Sequence, residues 1–74
     1  MDERIQIDTQ VQHGKPVIRG TRVPVARLLG GLAGGMTMEE IAAEYGVTKQ
    51  DVRAAIEYAR ELVEEEAHLP LPTK

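Results

Sequence analysis

Two helix-starting patterns with a glycine between them constrain the fold of this chain more than any other feature. Thr37 precedes Glu40 by three residues, which is the spacing of a capping box at the start of a helix. Thr48 and Asp51 repeat a similar pattern, and Gly46 lies just before them, where a glycine commonly ends a helix. The segment 37–57 therefore predicts two consecutive helices joined by a tight turn, which is a helix-turn-helix arrangement.

The apolar residues around this turn fit two packed helices. Ala42 is small at a point where the helices must approach closely, and Val47 and Val52 can fill the space between them. Ile41 and Ala55 then face the core. Any two short antiparallel helices with a glycine turn would show the same pattern, however, so the shape does not by itself indicate contact with DNA.

A further helix and two short strands are predicted upstream. Pro24 suits the first position of a helix, and apolar residues spaced by three and four follow it as far as Gly34. Before this helix, alternating residues predict a strand over 5–11, and a second β-branched run occupies 16–19. We therefore predict a mainly α fold, in which a short N-terminal β-hairpin precedes a three-helix body.

The chain is short for a stable domain. It has 74 residues with no cysteine, tryptophan or phenylalanine, and a chain of this size buries only about 60% of its unfolded surface. We expect a single domain over residues 1–67 and an extended or disordered tail over 68–74, because prolines interrupt 69–72. An isolated hairpin is barely stable in water, so we predict a homodimer. Its strands would pair between chains through Ile5, Ile7, Val17 and Ile18.

Charge is unevenly distributed along the chain, whose formal net charge is −3. Residues 1–27 carry five bases and three acids, whereas residues 28–74 carry four bases and nine acids. If the second helix of the turn entered a DNA major groove, its first residues would meet bases and phosphates: Thr48, Lys49, Gln50 and Arg53. The acidic surroundings weaken DNA binding, so a helix-turn-helix that serves only as a scaffold remains open.

A glycine- and proline-rich stretch over residues 14–25 displays several arginines on a constrained backbone. Together with matches further along, this stretch resembles the domain-of-unknown-function 433 family over residues 5–62. The residues that carry the resemblance are Gly14-Lys15-Pro16 with Val17-Ile18, Gly20-Thr21-Arg22 with Val23-Pro24-Val25, Gly35-Met36-Thr37 with Glu40-Ile41, and a final helix with Val52, Ala54-Ala55 and Tyr58.

The resemblance implies a homeodomain-like three-helix fold behind a β-hairpin, in a small prokaryotic protein that is often dimeric. It also implies an antitoxin of the VapB type, whose neighbouring gene encodes a toxin with a PIN-like nuclease fold. On this basis, the candidate residues for binding a toxin or a phosphate are Arg19, Thr21, Arg22 and Arg27.

These candidates also have a purely structural interpretation. The hydroxyl of Thr21 suits a cap for the turn that follows Gly20. Arg19 and Arg22 could form ion pairs within the fold, with Asp8, Glu39 or Glu44. Exposed pairs of that kind contribute only about 0–1 kcal/mol, so the arginines need not be present for stability at all.

Other classes of function have little support in the sequence. There is no serine or cysteine, no His-x-Glu spacing and no phosphate-binding loop, so we expect neither catalysis nor a small-molecule substrate. His13 and His68 have no carboxylate or thiol neighbours at ligand spacing, so we expect no metal and no cofactor. No apolar run approaches a membrane span, and residues 1–4 do not resemble a signal peptide, so we expect a cytoplasmic protein.

These observations leave three functional hypotheses. The first is an antitoxin-like protein of a type II toxin-antitoxin pair, which neutralises a PIN-like nuclease toxin and also represses its own operon as a dimer. Neutralisation would occur by occlusion, with Arg19 or Arg22 near an acidic site of the toxin. The second is a stand-alone helix-turn-helix regulator that binds DNA without a toxin partner, and the third is a module that only oligomerises.

Overall fold

A computed structural model describes residues 2–66 of the chain, and it contains a β-hairpin followed by three helices. The elements in chain order are β1 (Ile5–Gln6), a short 3-10 turn (Gln12–Gly14), β2 (Val17–Ile18), α1 (Val25–Ala33), α2 (Met38–Tyr45) and α3 (Lys49–Glu66). The predicted fold class is therefore confirmed. The tail predicted over 68–74 lies outside the described residues.

The two strands are antiparallel, with Ile5 opposite Ile18 and Gln6 opposite Val17. The predicted first strand is too long, because the chain turns at Asp8 instead of continuing to Val11. The Asp8 carboxylate accepts a hydrogen bond from the backbone N–H of Gln10 at 2.8 Å, and its carbonyl accepts one from Val11 at 2.9 Å. Aspartate commonly nucleates turns in this way, and here it ends the strand pairing after Gln6.

The side chains of the hairpin pack into the core of the same chain. Ile5, Val17 and Ile18 are at most 1% exposed, whereas Ile7 is 52% exposed. The strands thus pair with each other within one chain, and three of the four residues expected at a dimer interface are already covered. Strand pairing between chains and the homodimer itself remain predictions. Of these four residues, Ile7 is the one whose side chain is exposed.

The core lies where the three helices and the hairpin meet. Helix α3 packs against α1, α2 and β1, and α1 also packs against α2. The fully buried aliphatic side chains of this core come from both strands and all three helices: Ile5, Val17, Ile18, Val25, Leu28, Ile41 and Val52. Ile41 and Ala55 face this core as predicted, and Ala42 is half-buried.

The connection between α2 and α3 follows the local signals of the sequence. Thr37 and Glu40 form both hydrogen bonds of a capping box, at 3.0 and 2.8 Å. Gly46 ends α2 with φ of 66°, a left-handed conformation in which a side chain would be strained. Thr48 and Asp51 then exchange two hydrogen bonds of 3.0 Å at the start of α3. The predicted pair of helices with a tight turn is therefore present.

Candidate functional site

Arg19 and Arg22 lie in a hydrogen-bonded turn between β2 and α1. The backbone N–H of Thr21 donates to the carbonyl of Ile18 at 3.0 Å, and the Thr21 hydroxyl donates to the same carbonyl at 2.7 Å. That hydroxyl also accepts a hydrogen bond from the backbone N–H of Val23 at 3.0 Å. The turn-capping interpretation of Thr21 is confirmed, and its effect is to hold the two flanking arginines in place.

Arg19 and Arg22 line two separate surface hollows. The Nε of Arg19 donates to the backbone carbonyl of Glu3 at 2.5 Å, and its side chain borders a hollow with Glu3, Arg4 and Asp51. Arg22 borders a different hollow, which we call the Arg22 hollow and which is lined by Thr9, Gln10, Gln12, His13 and Arg22. Arg27 is exposed on the first turn of α1. Arg19 and Arg22, although close together in the sequence, therefore belong to two different surfaces of the protein.

None of these three arginines forms an ion pair within residues 2–66. Within residues 2–66, Arg19 and Arg22 do not pair with Asp8, Glu39 or Glu44, the three carboxylates that the sequence offered as partners. Asp8 accepts the Gln10 N–H, and Glu39 pairs with Lys49. No carboxylate within residues 2–66 therefore neutralises the guanidinium charges of Arg19, Arg22 and Arg27, although the Nε of Arg19 is bonded to the Glu3 carbonyl.

The residues predicted to contact DNA lie together at the start of α3, but two of them are engaged. Lys49 forms an ion pair with Glu39 at 3.3 Å, and the Thr48 hydroxyl caps the helix. Lys49, Gln50 and Arg53 line one shallow hollow. Within residues 2–66, the side chains of Gln50 and Arg53 have no hydrogen-bonding partner and are exposed.

Two charged carboxylates lie near this surface. A hydrogen bond from the backbone N–H of Glu39, together with the side chain of Lys49, lowers the pKa of Glu39. Burial raises the pKa of Asp51, but hydrogen bonds from the Thr48 backbone and from Arg4 outweigh burial, so the pKa of Asp51 is below its ordinary value. Both groups are anionic at neutral pH, and they offset the cations that a DNA phosphate would meet.

The ion pair between Arg4 and Asp51 was not anticipated from the sequence. The two residues are 47 positions apart, and no local pattern links them. The polar side chains around Arg22 were also missed, since Thr9, Gln10 and Gln12 carry no motif.

Across residues 2–66 there is no cluster of three or more His, Cys, Asp or Glu side chains that could hold a metal ion. None of the helices described is long and apolar enough to cross a membrane.

The fold and the exposed arginines place the chain in a class of small, mainly helical proteins with a β-hairpin before three helices. Residues 5–59 match the family model described as "Protein of unknown function (DUF433)", and the chain belongs to this family. The family expected from the sequence motifs is thereby confirmed.

Three matches to known proteins agree with this family assignment. The chain is 38% identical over 56 residues to a Mycobacterium tuberculosis protein named "Putative antitoxin VapB45", a match that covers 76% of this chain and 23% of that protein. It is similar to the crystal structure of Rv2018 from Mycobacterium tuberculosis, with 38% identity, a TM-score of 0.65 and coverage of 70% and 24% of the two chains. It also resembles a DUF433 member from Anabaena variabilis, with 34% identity, a TM-score of 0.76 and coverage of 90% and 67%.

Proposed function

We propose that this chain is an antitoxin-like protein that binds and neutralises a nuclease toxin of the PIN-like type. The observation that carries the proposal is the set of exposed arginines, Arg19, Arg22 and Arg27, which have no carboxylate partner within residues 2–66. The similarity to a protein named as an antitoxin supports it. Because the chain spans only 23% of that relative, the proposal concerns what this chain does by itself.

The chemistry of such a toxin explains why arginines are suitable. A metal-dependent nuclease gathers carboxylates around its divalent ions. A guanidinium can bind a carboxylate with two parallel hydrogen bonds, which are stronger than neutral ones. An arginine held at that site would compete with the metal ion and would block the approach of RNA. The Thr21-capped turn reduces the entropy lost on binding, because its backbone is already fixed.

The experiment is a measurement of inhibition with paired arginine variants. The toxin encoded beside this gene is titrated with the wild-type chain and with the double variant Arg19→Ala, Arg22→Ala. The double variant should bind the toxin at least about tenfold more weakly and inhibit its nuclease activity less. Arg60→Ala is the matched control, since Arg60 is also an exposed arginine but bonds to Glu57 of its own helix at 3.0 Å. Unchanged inhibition by the double variant would reject the proposal.

A second candidate function is a stand-alone DNA-binding regulator without a toxin partner. It is favoured by the exposed Gln50 and Arg53 beside Lys49 at the start of α3. In this case Arg53→Ala should weaken operator binding by about 1–3 kcal/mol and relax the preference at one base. Equal affinity for an operator and for random DNA would reject it.

Both candidate functions are compatible with self-association. We propose that the chain forms a homodimer, and that this dimer also represses its own operon. Several large apolar side chains are exposed and available for contact: Ile7, Ile56, Leu62 and Val63. A protein that only oligomerises, the third hypothesis, would bind neither the toxin nor DNA. Light scattering of the chain alone and with each partner separates the three possibilities.

A further inference from the structure

The 3-10 turn before β2 has an unusual backbone. Gln12, His13 and Gly14 have φ values of 51°, 57° and 83°, so three consecutive residues are left-handed. Glycine adopts this region readily, but glutamine and histidine do so at a cost in free energy. Non-glycine residues that persist in such conformations often lie at binding sites, which makes the surroundings of this turn a candidate site.

The strained turn is fastened on both sides. The backbone N–H of Gly14 donates to the carbonyl of Val11 at 3.0 Å, and that of Lys15 donates to Gln12 at 3.1 Å. The side-chain amide of Gln12 donates to the backbone carbonyl of Arg22 at 3.3 Å. The 3-10 turn and the arginine-bearing turn are thus held together, and the Arg22 hollow lies between them.

The residues around the Arg22 hollow are hydrogen-bond donors and include a positive charge. Among residues 2–66, the residues that line it carry a hydroxyl, two amides, an imidazole and a guanidinium: Thr9, Gln10, Gln12, His13 and Arg22. No carboxylate is in this lining. The nearest acid along the chain, Asp8, accepts the backbone N–H of Gln10. Every lining side chain can donate a hydrogen bond and one carries a fixed positive charge, which matches an oxyanion.

We propose that the Arg22 hollow binds a carboxylate of a protein partner. A protein carboxylate fits better than a nucleic-acid phosphate, because the chain has a formal net charge of −3 and a negative protein repels a polyanion. This inference rests on the proposed function, since the partner is the toxin. It adds which of the two arginines takes the acid, namely Arg22, while Arg19 is held by the Glu3 carbonyl.

The test uses the chain alone, labelled with ¹⁵N, and needs no toxin. It is titrated with a capped tetra-aspartate peptide, and a tetra-asparagine peptide of similar shape is the control. We expect saturable shifts of the amide signals of Gln12, His13 and Gly14 and of the Arg22 side chain, with no response to the asparagine peptide. Arg22→Ala should weaken binding of the aspartate peptide at least about fivefold, while Arg60→Ala, at an exposed arginine that bonds to Glu57 of its own helix, should leave it unchanged.

A second variant tests whether His13, which has a left-handed backbone, contributes to this site. His13→Gly relieves a left-handed histidine, so it should raise the unfolding temperature and weaken peptide binding by removing the imidazole.

Absence of shifts around the Arg22 hollow, or peptide binding that Arg22→Ala does not change, would overturn the proposal. Tighter binding of a single-stranded RNA than of the aspartate peptide at this hollow would also overturn it. A hollow that binds the peptide in a chain that forms no toxin complex would reject the proposed function alone.

Discussion

The guanidinium of Arg4 lies 3.1 Å from the carboxylate of Asp51 and joins the start of the hairpin to the start of α3. The same carboxylate accepts the backbone N–H of Thr48 at 3.0 Å and completes the capping box in which the Thr48 hydroxyl caps α3. Asp51 therefore has two structural tasks, whereas Arg4 has one. This difference predicts unequal effects of the two substitutions.

Asp51→Ala should lower the free energy of unfolding by about 1–2 kcal/mol, because it removes the hydrogen bond from the Thr48 N–H together with the ion pair. Arg4→Ala should lower it by no more than about 1 kcal/mol, because it removes only a partly exposed ion pair. Urea denaturation of both variants measures the difference. Equal losses would show that the hydrogen bond from the Thr48 N–H to Asp51 contributes nothing beyond the ion pair.

The contribution of Asp51 should depend on pH. Hydrogen bonds from Thr48 and Arg4 outweigh the effect of burial, so the pKa of this carboxyl is lower in the folded chain than in the unfolded chain. A group with a depressed pKa stabilises the fold fully above its unfolded pKa, and the stabilisation disappears as the pH falls through the folded pKa. The stability difference between wild type and Asp51→Ala should therefore shrink below about pH 4. A difference that stays constant on acidification would contradict this account.

Two neighbouring glycines of α1 should respond differently to alanine. A Cβ on Gly30 would meet nothing within 4 Å, so Gly30→Ala should stabilise the chain by up to about 1 kcal/mol through helix propensity. A Cβ on Gly31 would lie 3.2 Å from Cδ1 of Ile41 and 3.2 Å from Sδ of Met36. Gly31→Ala should therefore gain less than Gly30→Ala or should destabilise the chain. Thermal unfolding of the two variants compares them, and equal gains would contradict the close packing of α1 on α2.

Substitution by alanine should destabilise the chain strongly at Ile41 and only weakly at Ile56. Ile41 is fully buried between the helices, so Ile41→Ala should lower the free energy of unfolding by about 2–5 kcal/mol. Ile56 is 40% exposed on α3, and Ile56→Ala should lower it by about 1 kcal/mol or less. Denaturant unfolding of the two variants provides the comparison. A loss at Ile56 as large as that at Ile41 would contradict the assignment of the core.

Local signals in the sequence predicted the helices well. The Thr37 and Thr48 caps, Gly46 and the apolar spacing act within a few residues, so their effects can be read along the chain. The end of the first strand was missed, because period-two spacing does not show that the Asp8 side chain will close a turn. The burial of Ile5, Val17 and Ile18 within one chain was missed for another reason, since a strand pattern does not identify its partner.

The candidate site was predicted in its residues but not in its arrangement. The glycine- and proline-rich stretch indicated displayed arginines, and the structure leaves Arg19, Arg22 and Arg27 exposed. The sequence could not show that Arg19 and Arg22 border different hollows, because that division depends on contacts with distant residues. Likewise, the pairing of Lys49 with Glu39 joins two helices and has no signature in either one.

The most direct test of the antitoxin-like function is co-expression of this chain with the product of the adjacent gene. Size exclusion with light scattering then measures the mass of whatever complex forms. We expect a stable complex of fixed stoichiometry that the double variant Arg19→Ala, Arg22→Ala disrupts and Arg60→Ala does not. A chain that elutes alone, with or without self-association and with no bound partner, would contradict the account and would favour a DNA-binding regulator.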